Sequence, residues 1–157
     1  MTISRGIILA VVTIMVLPLG ALAEEQEKKI TRSDLPPAVR QAVDEQSRGA
    51  TVRRFSQEKE NGKTFYEAEL IVHGHSKDVL MDATGSVVEV EEQVAVASLP
   101  AAVRRGLQAK AGTGQLIKVE KLTKKDKLVA YEAKVLTDGK KSEVQVGPDG
   151  ESLDHEE

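Results

Sequence analysis

Histidines are the side chains of this sequence with the clearest capacity for metal chemistry. His73 and His75 flank Gly74 and form the one close histidine pair, while His155 lies far along the chain. Two imidazoles can bind a transition metal, but zinc sites use three or four protein ligands. Because no third ligand accompanies the pair, the motif favours an exposed turn over a metal site.

Acidic residues gather at two glycine-containing segments, Asp82–Gly85 and Asp149–Asp154. Carboxylate oxygens suit Ca²⁺, but neither segment has the twelve-residue spacing of an EF-hand loop. Asp and Gly are also ordinary turn residues. The sequence therefore predicts hairpin turns here, with no metal ligand assigned and no cofactor. Weak divalent-cation binding or envelope sensing stays open as an alternative function.

Nucleophilic and acid–base catalysis have little support. The chain has no Cys and no Ser in a G-x-S-x-G elbow. Glu67 and Glu69 share one face of a predicted strand, but an acid–base pair needs one carboxyl in an apolar pocket. The second half of the chain has Lys134 where the first has Glu69, which suits a repeated scaffold better than a repeated active site. We therefore predict no enzyme activity and no catalytic residue.

The first 23 residues have the features of a cleavable signal peptide. Arg5 precedes an apolar run, Ile7–Leu17, and a small-x-small motif closes the segment at residues 21–23. The run is about long enough to span a membrane, so an uncleaved anchor is the alternative. Pro18 and the cleavage motif favour cleavage. We expect a periplasmic or secreted protein with no stable membrane anchor after cleavage.

The composition excludes some functions and limits the core. The chain has 22 basic and 25 acidic residues, a formal charge of −3, no Cys and no Trp. This weak acidity argues against nucleic-acid binding, which requires a clustered basic surface. With two Phe and two Tyr, the core must consist mainly of Val, Leu, Ile and Ala. Residues 24–32 are charged without apolar periodicity, which predicts a mobile leader.

An internal repeat organises the remainder of the chain. Three sets of residues recur in the same order at a nearly constant spacing: a Leu-Pro-x-Ala-Val-Arg motif at 35–40 and 99–104, a Tyr-Glu-Ala motif at 66–68 and 131–133, and glycines at 74, 85, 139 and 150. We infer two repeats, residues 33–94 and 95–157.

Each repeat is predicted to contain one helix followed by four strands. Leu35, Val39 and Val43 fall at i, i+4 and i+8 and form one apolar stripe of a helix. Asp34 stands just before the Leu-Pro pair, where a short polar side chain caps helix N–H groups. The apolar residues of the first strand, such as Val52 and Phe55, are spaced irregularly, which indicates a bulge.

The later strands alternate clearly. Tyr66, Ala68 and Leu70 face one side, while Glu67 and Glu69 face the other. A short final strand follows in each repeat, and its predicted inward residues are Val88 and Val90 in the first repeat and Leu153 and His155 in the second. The predicted fold class is α+β, with two tandem α-β-β-β-β units, antiparallel sheets and helices packed on one face.

The other sheet face has no element left to cover it, so we expect an open face of mixed polarity. Its candidate partner-binding residues are Phe65, Glu67, Glu69 and Leu80 in the first repeat and Glu132, Lys134 and Leu136 in the second. The sequence leaves open whether the two sheets join.

The repeated unit resembles the PepSY-like, β-lactamase-inhibitor-like family. The resemblance rests on the Leu-Pro-x-Ala-Val helix start, the Tyr-Glu-Ala strand and the Asp-Gly or Thr-Gly hairpin before the short final strand. It implies an exported protein with helices on one face of an antiparallel sheet, as in β-lactamase inhibitory proteins, whose open sheet face binds the target enzyme. We therefore expect an exported binding module for an unknown exported protein or peptide, including inhibition of a peptidase or other exported enzyme.

Overall fold

The structure, a computed structural model, describes residues 27–60, 62–155 and 157. The predicted signal peptide lies outside these residues. In the described chain, eight strands and two α-helices follow one another: β1 (Lys28–Ile30), α1 (Pro37–Gln46), β2 (Thr51–Glu60), β3 (Lys63–Val72), β4 (His75–Asp82), β5 (Val87–Gln93), α2 (Ala101–Ala111), β6 (Gln115–Lys124), β7 (Lys127–Thr137) and β8 (Lys140–Val146).

All eight strands form one antiparallel sheet in which spatial order equals sequence order. Within the first half, β4 pairs with β5, as in the opposed residues Val79 and Val90. The halves of the chain are joined where β5 pairs with β6 and Glu91 lies opposite Leu122. The two predicted sheets are therefore one continuous sheet. This arrangement confirms the α+β class and the antiparallel strands with helices on one face.

The core lies between the helices and one face of the sheet, in two clusters. The first contains Leu35, Val39, Val43, Ala68, Leu70, Val79 and Met81. The second contains Leu99, Val103, Leu107, Val119, Ala133 and Val146. The predicted helix stripes and the predicted alternation of β3 are confirmed by these contacts. Within the described residues, neither helix is long and apolar enough to cross a membrane.

Two turn glycines fix the position of each helix against the sheet. Gly85 and Gly150 have φ values of +82° and +87°, a region that favours glycine. A Cβ on Gly85 would lie 2.6 Å from the carbonyl oxygen of Ala38 in α1, and one on Gly150 would lie 2.4 Å from the carbonyl group of Ala102 in α2. The first turn of each helix therefore packs directly on the backbone of a turn.

The prediction of a mobile leader at residues 24–32 is wrong for its described C-terminal part. Lys28–Ile30 forms β1 and pairs with β2, with Ile30 opposite Phe55. Ile30 also packs against the first core cluster, and this burial holds the segment on the sheet edge. The sequence prediction missed β1 because charged residues flank Ile30, the one apolar side chain that orders the segment.

The predicted cap at Asp34 is also wrong. The Asp34 carboxylate accepts hydrogen bonds from the Thr31 N–H (2.8 Å) and hydroxyl (2.7 Å), closing a 3₁₀ turn at Arg32–Asp34. These bonds lower the pKa of Asp34. Helix α1 begins only at Pro37, so Pro36 rather than Asp34 occupies the N-cap position, and proline has no side-chain oxygen to act as a cap. The proline pair thus separates the turn from the helix.

The fourth strand predicted for the second repeat, around Leu153 and His155, does not form. A turn closes after β8, where the Gly147 N–H donates to the Glu151 carbonyl at 2.8 Å, but residues 151–155 join no strand. In the first half, β5 packs the partly buried Val87 and Val90 against the core and pairs along both of its edges. The later segment has one apolar residue, Leu153, and among the described strands it would have β8 alone to pair with.

The irregular spacing in the first strand of each repeat predicts a bulge, and this is confirmed. The register shifts between Val52 and Arg54 in β2 and between Leu116 and Lys118 in β6. A further shift opposite Met81 places Val87 rather than Val88 at the core. The prediction that Val88 faces inward is therefore wrong, because a bulge changes which residue points to which face.

Candidate functional site

The candidate site is the open face, defined as the sheet face opposite the two helices. Strand alternation and register place every predicted partner-binding residue on it: Phe65, Glu67 and Glu69 on β3, Leu80 on β4, and Glu132, Lys134 and Leu136 on β7. The β3 and β7 residues are four strand spacings apart, about 19 Å. The structure therefore separates the predicted residues into two groups, and their role in binding stays a prediction.

Strands β4 to β6 bring a carboxylate cluster between these two groups. Asp78, Glu91 and Glu120 place carboxylate oxygens within 4.8 Å of one another. Glu120 is 2% exposed and is held by Lys118, whose Nζ lies 2.6 Å from its carboxylate. The hydroxyl of Ser76 on β4 lies 3.3 Å from the same carboxylate.

Sequence reasoning missed this cluster for a topological reason. The alternation of β5 with Val90 facing the core already sends Glu91 to the open face. Glu120, however, comes near Asp78 and Glu91 only because β5 pairs with β6. The sequence of each repeat, taken by itself, does not indicate that β5 pairs with β6.

Burial on the open face favours the protonated form of several carboxyls. Desolvation, with repulsion from Asp78, raises the pKa of Glu67 from 4.5 to about 7. Desolvation, with repulsion from Glu120 and Glu132, raises the pKa of Glu91 from 4.5 to about 8. Desolvation also raises the pKa of Asp78. In the described part of the chain, no Lys or Arg nitrogen lies within 4.0 Å of these three carboxylates.

Two adjoining depressions give the first half of the open face its shape. One of about 220 Å³ is acidic and is lined by Glu58, Glu67, Asp78, Leu80, Glu89 and Glu91. A second of about 370 Å³ combines the apolar side chains of Phe65, Leu80 and Val88 with charged neighbours that include Lys63 and Lys124. This half therefore offers apolar contact area beside incompletely neutralised negative charge.

The second half of the open face is more fully paired within the chain. The Gln145 side-chain amide donates to Glu132 at 2.9 Å, and Lys134 lies 3.2 Å from Glu143. The Glu157 N–H donates to the Gln145 side-chain oxygen at 2.9 Å. Glu132 and Lys134 thus already have partners within the chain. Two predicted residues of the first half do as well, since Glu69 pairs with Arg54 and Glu67 accepts a hydrogen bond from the Ser56 hydroxyl at 3.2 Å.

The histidine pair and the acidic hairpin lie away from this cluster. His73 and His75 are exposed at the turn between β3 and β4, as predicted. The Asp82 carboxylate accepts hydrogen bonds from the Thr84 hydroxyl (2.5 Å), the Ser86 N–H (3.1 Å) and the Thr84 N–H (2.8 Å), which lower its pKa. The hairpin therefore uses its aspartate for turn formation.

The comparisons with known proteins identify the fold. No protein-family model matches the chain, and no curated protein matches it. A BLIP-like protein from Bacteroides fragilis is similar in structure, with 20% identity, a TM-score of 0.56, and coverage of 76% of this chain and 83% of that one. A protein from Bacteroides eggerthii that is named a putative periplasmic protein is also similar in structure. It has 18% identity, a TM-score of 0.63, and coverage of 76% of this chain and 86% of that one.

A DUF2874 family protein from Bacteroides ovatus gives a third match, with 20% identity, a TM-score of 0.59, and coverage of 76% and 86%. The expected likeness to a β-lactamase-inhibitor-like fold is thus confirmed at the level of architecture. The PepSY-like assignment and the repeat boundaries stay predictions.

Proposed function

We propose that this chain is an exported, non-enzymatic binding protein whose open face recognises a protein or peptide partner through cationic groups. The observation that carries the proposal is the juxtaposition, on the face opposite α1 and α2, of Glu67, Asp78 and Glu91 with the apolar side chains of Phe65 and Leu80. Exported means periplasmic or secreted, on the basis of the predicted signal peptide.

The charge of the cluster points to the chemistry of the partner. Burial already favours protonated Glu67 and Glu91, so each ionised carboxylate there is partly desolvated and, among the described residues, has no Lys or Arg nitrogen within 4.0 Å. A Lys or Arg side chain of a partner supplies that charge, while its aliphatic stem packs on Phe65 or Leu80. Because a bound cation lowers the pKa of both carboxyls, binding releases protons and the affinity rises with pH through about 7 to 8.

Raised carboxyl pKa values also occur at catalytic sites, so the shape of the site matters. Small-molecule pockets are concave, with volumes of roughly 300–1,000 Å³, and enclose most of the ligand. The acidic depression has a volume of about 220 Å³ and lies on an open sheet surface. This shape suits side chains presented by a macromolecular partner better than an enclosed substrate.

Charge reversal on the open face tests the proposal. Residues 24–157 are immobilised as wild type, as Glu67→Lys/Glu91→Lys, and as Glu45→Lys, which changes an exposed glutamate of α1. Exported proteins of the source cell are applied, and bound proteins are identified by mass spectrometry. We expect a saturable partner that is retained by wild type and Glu45→Lys and lost by the double variant. A partner bound equally by all three contradicts the proposal.

Inhibition of an exported enzyme is the narrower form of this function. If the captured partner is an enzyme, its activity is titrated with the wild-type chain and with the double variant. Loss of activity with wild type alone supports inhibition, while unchanged activity in the bound complex limits the function to recognition.

A second candidate function is weak binding of a divalent cation. The observation that favours it is the convergence of Asp78, Glu91 and Glu120, because three carboxylates suit a hard cation such as Ca²⁺. A ligand that binds the folded state raises the melting temperature by an amount that grows with the logarithm of one plus the ratio of its concentration to Kd. We expect Ca²⁺ to raise it for wild type and for Asp138→Asn, a change at an exposed turn, but not for Asp78→Asn. An unchanged melting temperature of wild type in excess Ca²⁺ contradicts this function.

A further inference from the structure

The second half of the open face carries a segment of the chain itself. The Glu157 N–H donates to the Gln145 side-chain oxygen at 2.9 Å, and the Glu157 carboxylate lies 3.5 Å from Lys124 Nζ. Gln145 belongs to β8 and Lys124 to β6, so the two contacts are on opposite sides of β7. The end of the chain therefore crosses over β7 on the open face.

The floor beneath this crossing is apolar and excluded from solvent. Ala130 on β7 is 0% exposed, and Leu122, opposite it on β6, is 3% exposed. Neither belongs to the clusters beneath the helices, since strand alternation turns both side chains to the open face. In the first half, the corresponding opposed pair is Phe65 and Glu58. An aromatic ring thus occupies in one half the space that a small alanine leaves in the other.

We propose that residues 151–155 and 157, called the tail below, are a tethered occupant of the second half of the open face and compete with a partner for it. This inference rests on the proposed function, because it concerns access to the same surface. Among the described residues, the polar contacts of the tail with β6 and β8 are one hydrogen bond and one ion pair near the surface, and such contacts are individually weak. The tail is therefore displaceable, and a partner that needs the whole open face must first displace it.

The first test measures docking of the tail in the full chain without any partner. The chain has no cysteine, so Asp154→Cys gives a unique site for a nitroxide label. In the chain that carries this change alone, we expect the label to broaden the methyl resonances of Leu122, which lies opposite Ala130. Lys124→Gln removes the ion pair, and Ala130→Phe fills the space under the tail; both variants should reduce the effect. The control is Lys121→Gln, because Lys121 is on the same strand and pairs with Glu92 on the helix side.

The second test measures competition, with a fluorescein-labelled peptide of sequence 147–157 as the probe. The full chain is compared with Glu157→Arg, which repels Lys124, and with Glu151→Arg, which makes the same charge change at the exposed start of the tail. If the tail is docked about nine-tenths of the time, its release strengthens peptide binding about tenfold. We expect this gain for Glu157→Arg alone.

Equal peptide binding by wild type and Glu157→Arg, or binding by neither, overturns the inference, as does methyl broadening that Lys124→Gln leaves unchanged. The Lys124→Gln result decides the first test if Ala130→Phe fails to fold. A docked tail with no exported partner would overturn the proposed function and leave the inference standing. A partner bound equally well by wild type and Glu157→Arg would overturn the inference and leave the function standing.

Discussion

The turns after β4 and after β8 begin in the same way and end differently. In the first, the Asp82 N–H donates to the Ser86 carbonyl at 3.0 Å, and in the second the Gly147 N–H donates to the Glu151 carbonyl at 2.8 Å. Each turn places its glycine against the first turn of a helix. After the first turn the chain enters the sheet as β5, whereas after the second it leaves the sheet and crosses the open face. A hairpin turn by itself therefore does not create a strand.

The difference comes from what surrounds the segment that follows. β5 pairs with β4 on one edge and β6 on the other, and Val87 and Val90 add to the core. The segment after β8 has strand pairing available on one edge alone, and its apolar content is Leu153. Without a second neighbour and without buried side chains, the gain from pairing does not offset the conformational entropy of ordering an extended strand.

The same comparison extends to the open face. Glu67 lies opposite Leu80 in the first half, and Glu132 lies opposite Gln145 in the second. The first half therefore presents apolar side chains beside carboxylates, whereas the second presents a polar side chain that the tail has engaged. The two halves share backbone geometry but differ in the chemistry that remains available to a partner.

The largest expected effect tests whether the two turns pack against their helices in the same way. Gly85→Ala and Gly150→Ala each add a Cβ within 2.6 Å of a helix backbone and force a side chain into a positive-φ conformation. We expect each to lower the free energy of unfolding by about 2–4 kcal/mol, from overpacking and backbone strain together. The control is Gly139→Ala, at φ +78° with nothing within 4 Å, which should cost about 1 kcal/mol. Equal losses at all three positions, measured by urea unfolding, would contradict the packing argument.

A second prediction compares how much the segments that follow the two turns contribute to stability. Val90→Ala removes buried methyl groups that pack against the first core cluster, and we expect a loss of about 1–2 kcal/mol. Leu153→Ala lies outside both core clusters, and we expect a loss of under about 1 kcal/mol. Urea unfolding of the two variants measures the difference. A larger loss at Leu153 would mean that the tail is an integral part of the fold.

A third prediction concerns pH and the first half of the open face. The folded chain keeps protons on Glu67 and Glu91 that the unfolded chain releases above pH 4.5, so these groups lower the stability as the pH rises from about 4.5 to about 8. Glu67→Gln and Glu91→Gln should each flatten this decline, and the gain over wild type should be largest at pH 8. Glu45→Gln on α1 should leave the profile unchanged. Thermal unfolding between pH 4 and 9 is the measurement, and parallel profiles for wild type and Glu91→Gln would contradict the prediction.

The smallest expected effect concerns the tail. Glu157→Gln weakens a single ion pair near the surface, so we expect a change in unfolding free energy of under about 0.5 kcal/mol. Urea unfolding in low and high salt checks it, and a loss above about 1 kcal/mol would show that the tail is held more firmly than its two contacts suggest.

Features that depend on local periodicity could be predicted from the sequence. The stripe of Leu35, Val39 and Val43 and the alternation of Tyr66 with Glu67 both report which side of an element is buried, and the structure agrees. Bulges could also be predicted from the sequence, since Val52 and Phe55 break the two-residue period of a strand.

Features that depend on neighbouring strands could not be predicted. β1 is ordered by contacts between Ile30 and the core, although its flanks are charged. Glu120 joins Asp78 and Glu91 because β5 and β6 pair across the junction of the halves. The segment around Leu153 stays outside the sheet because it would have one neighbouring strand and has no side chain in either core cluster. Each case is decided by contacts between residues that are distant in sequence.

The agreement of spatial order with sequence order has a consequence for folding kinetics. Because every strand pairs with the strand before or after it, the chain closes short loops at hairpins and somewhat longer ones across each helix. The entropy of loop closure grows slowly with length, and chains dominated by such near-neighbour contacts fold comparatively fast. Folding can therefore begin in either half and spread strand by strand through the pairing of β5 with β6.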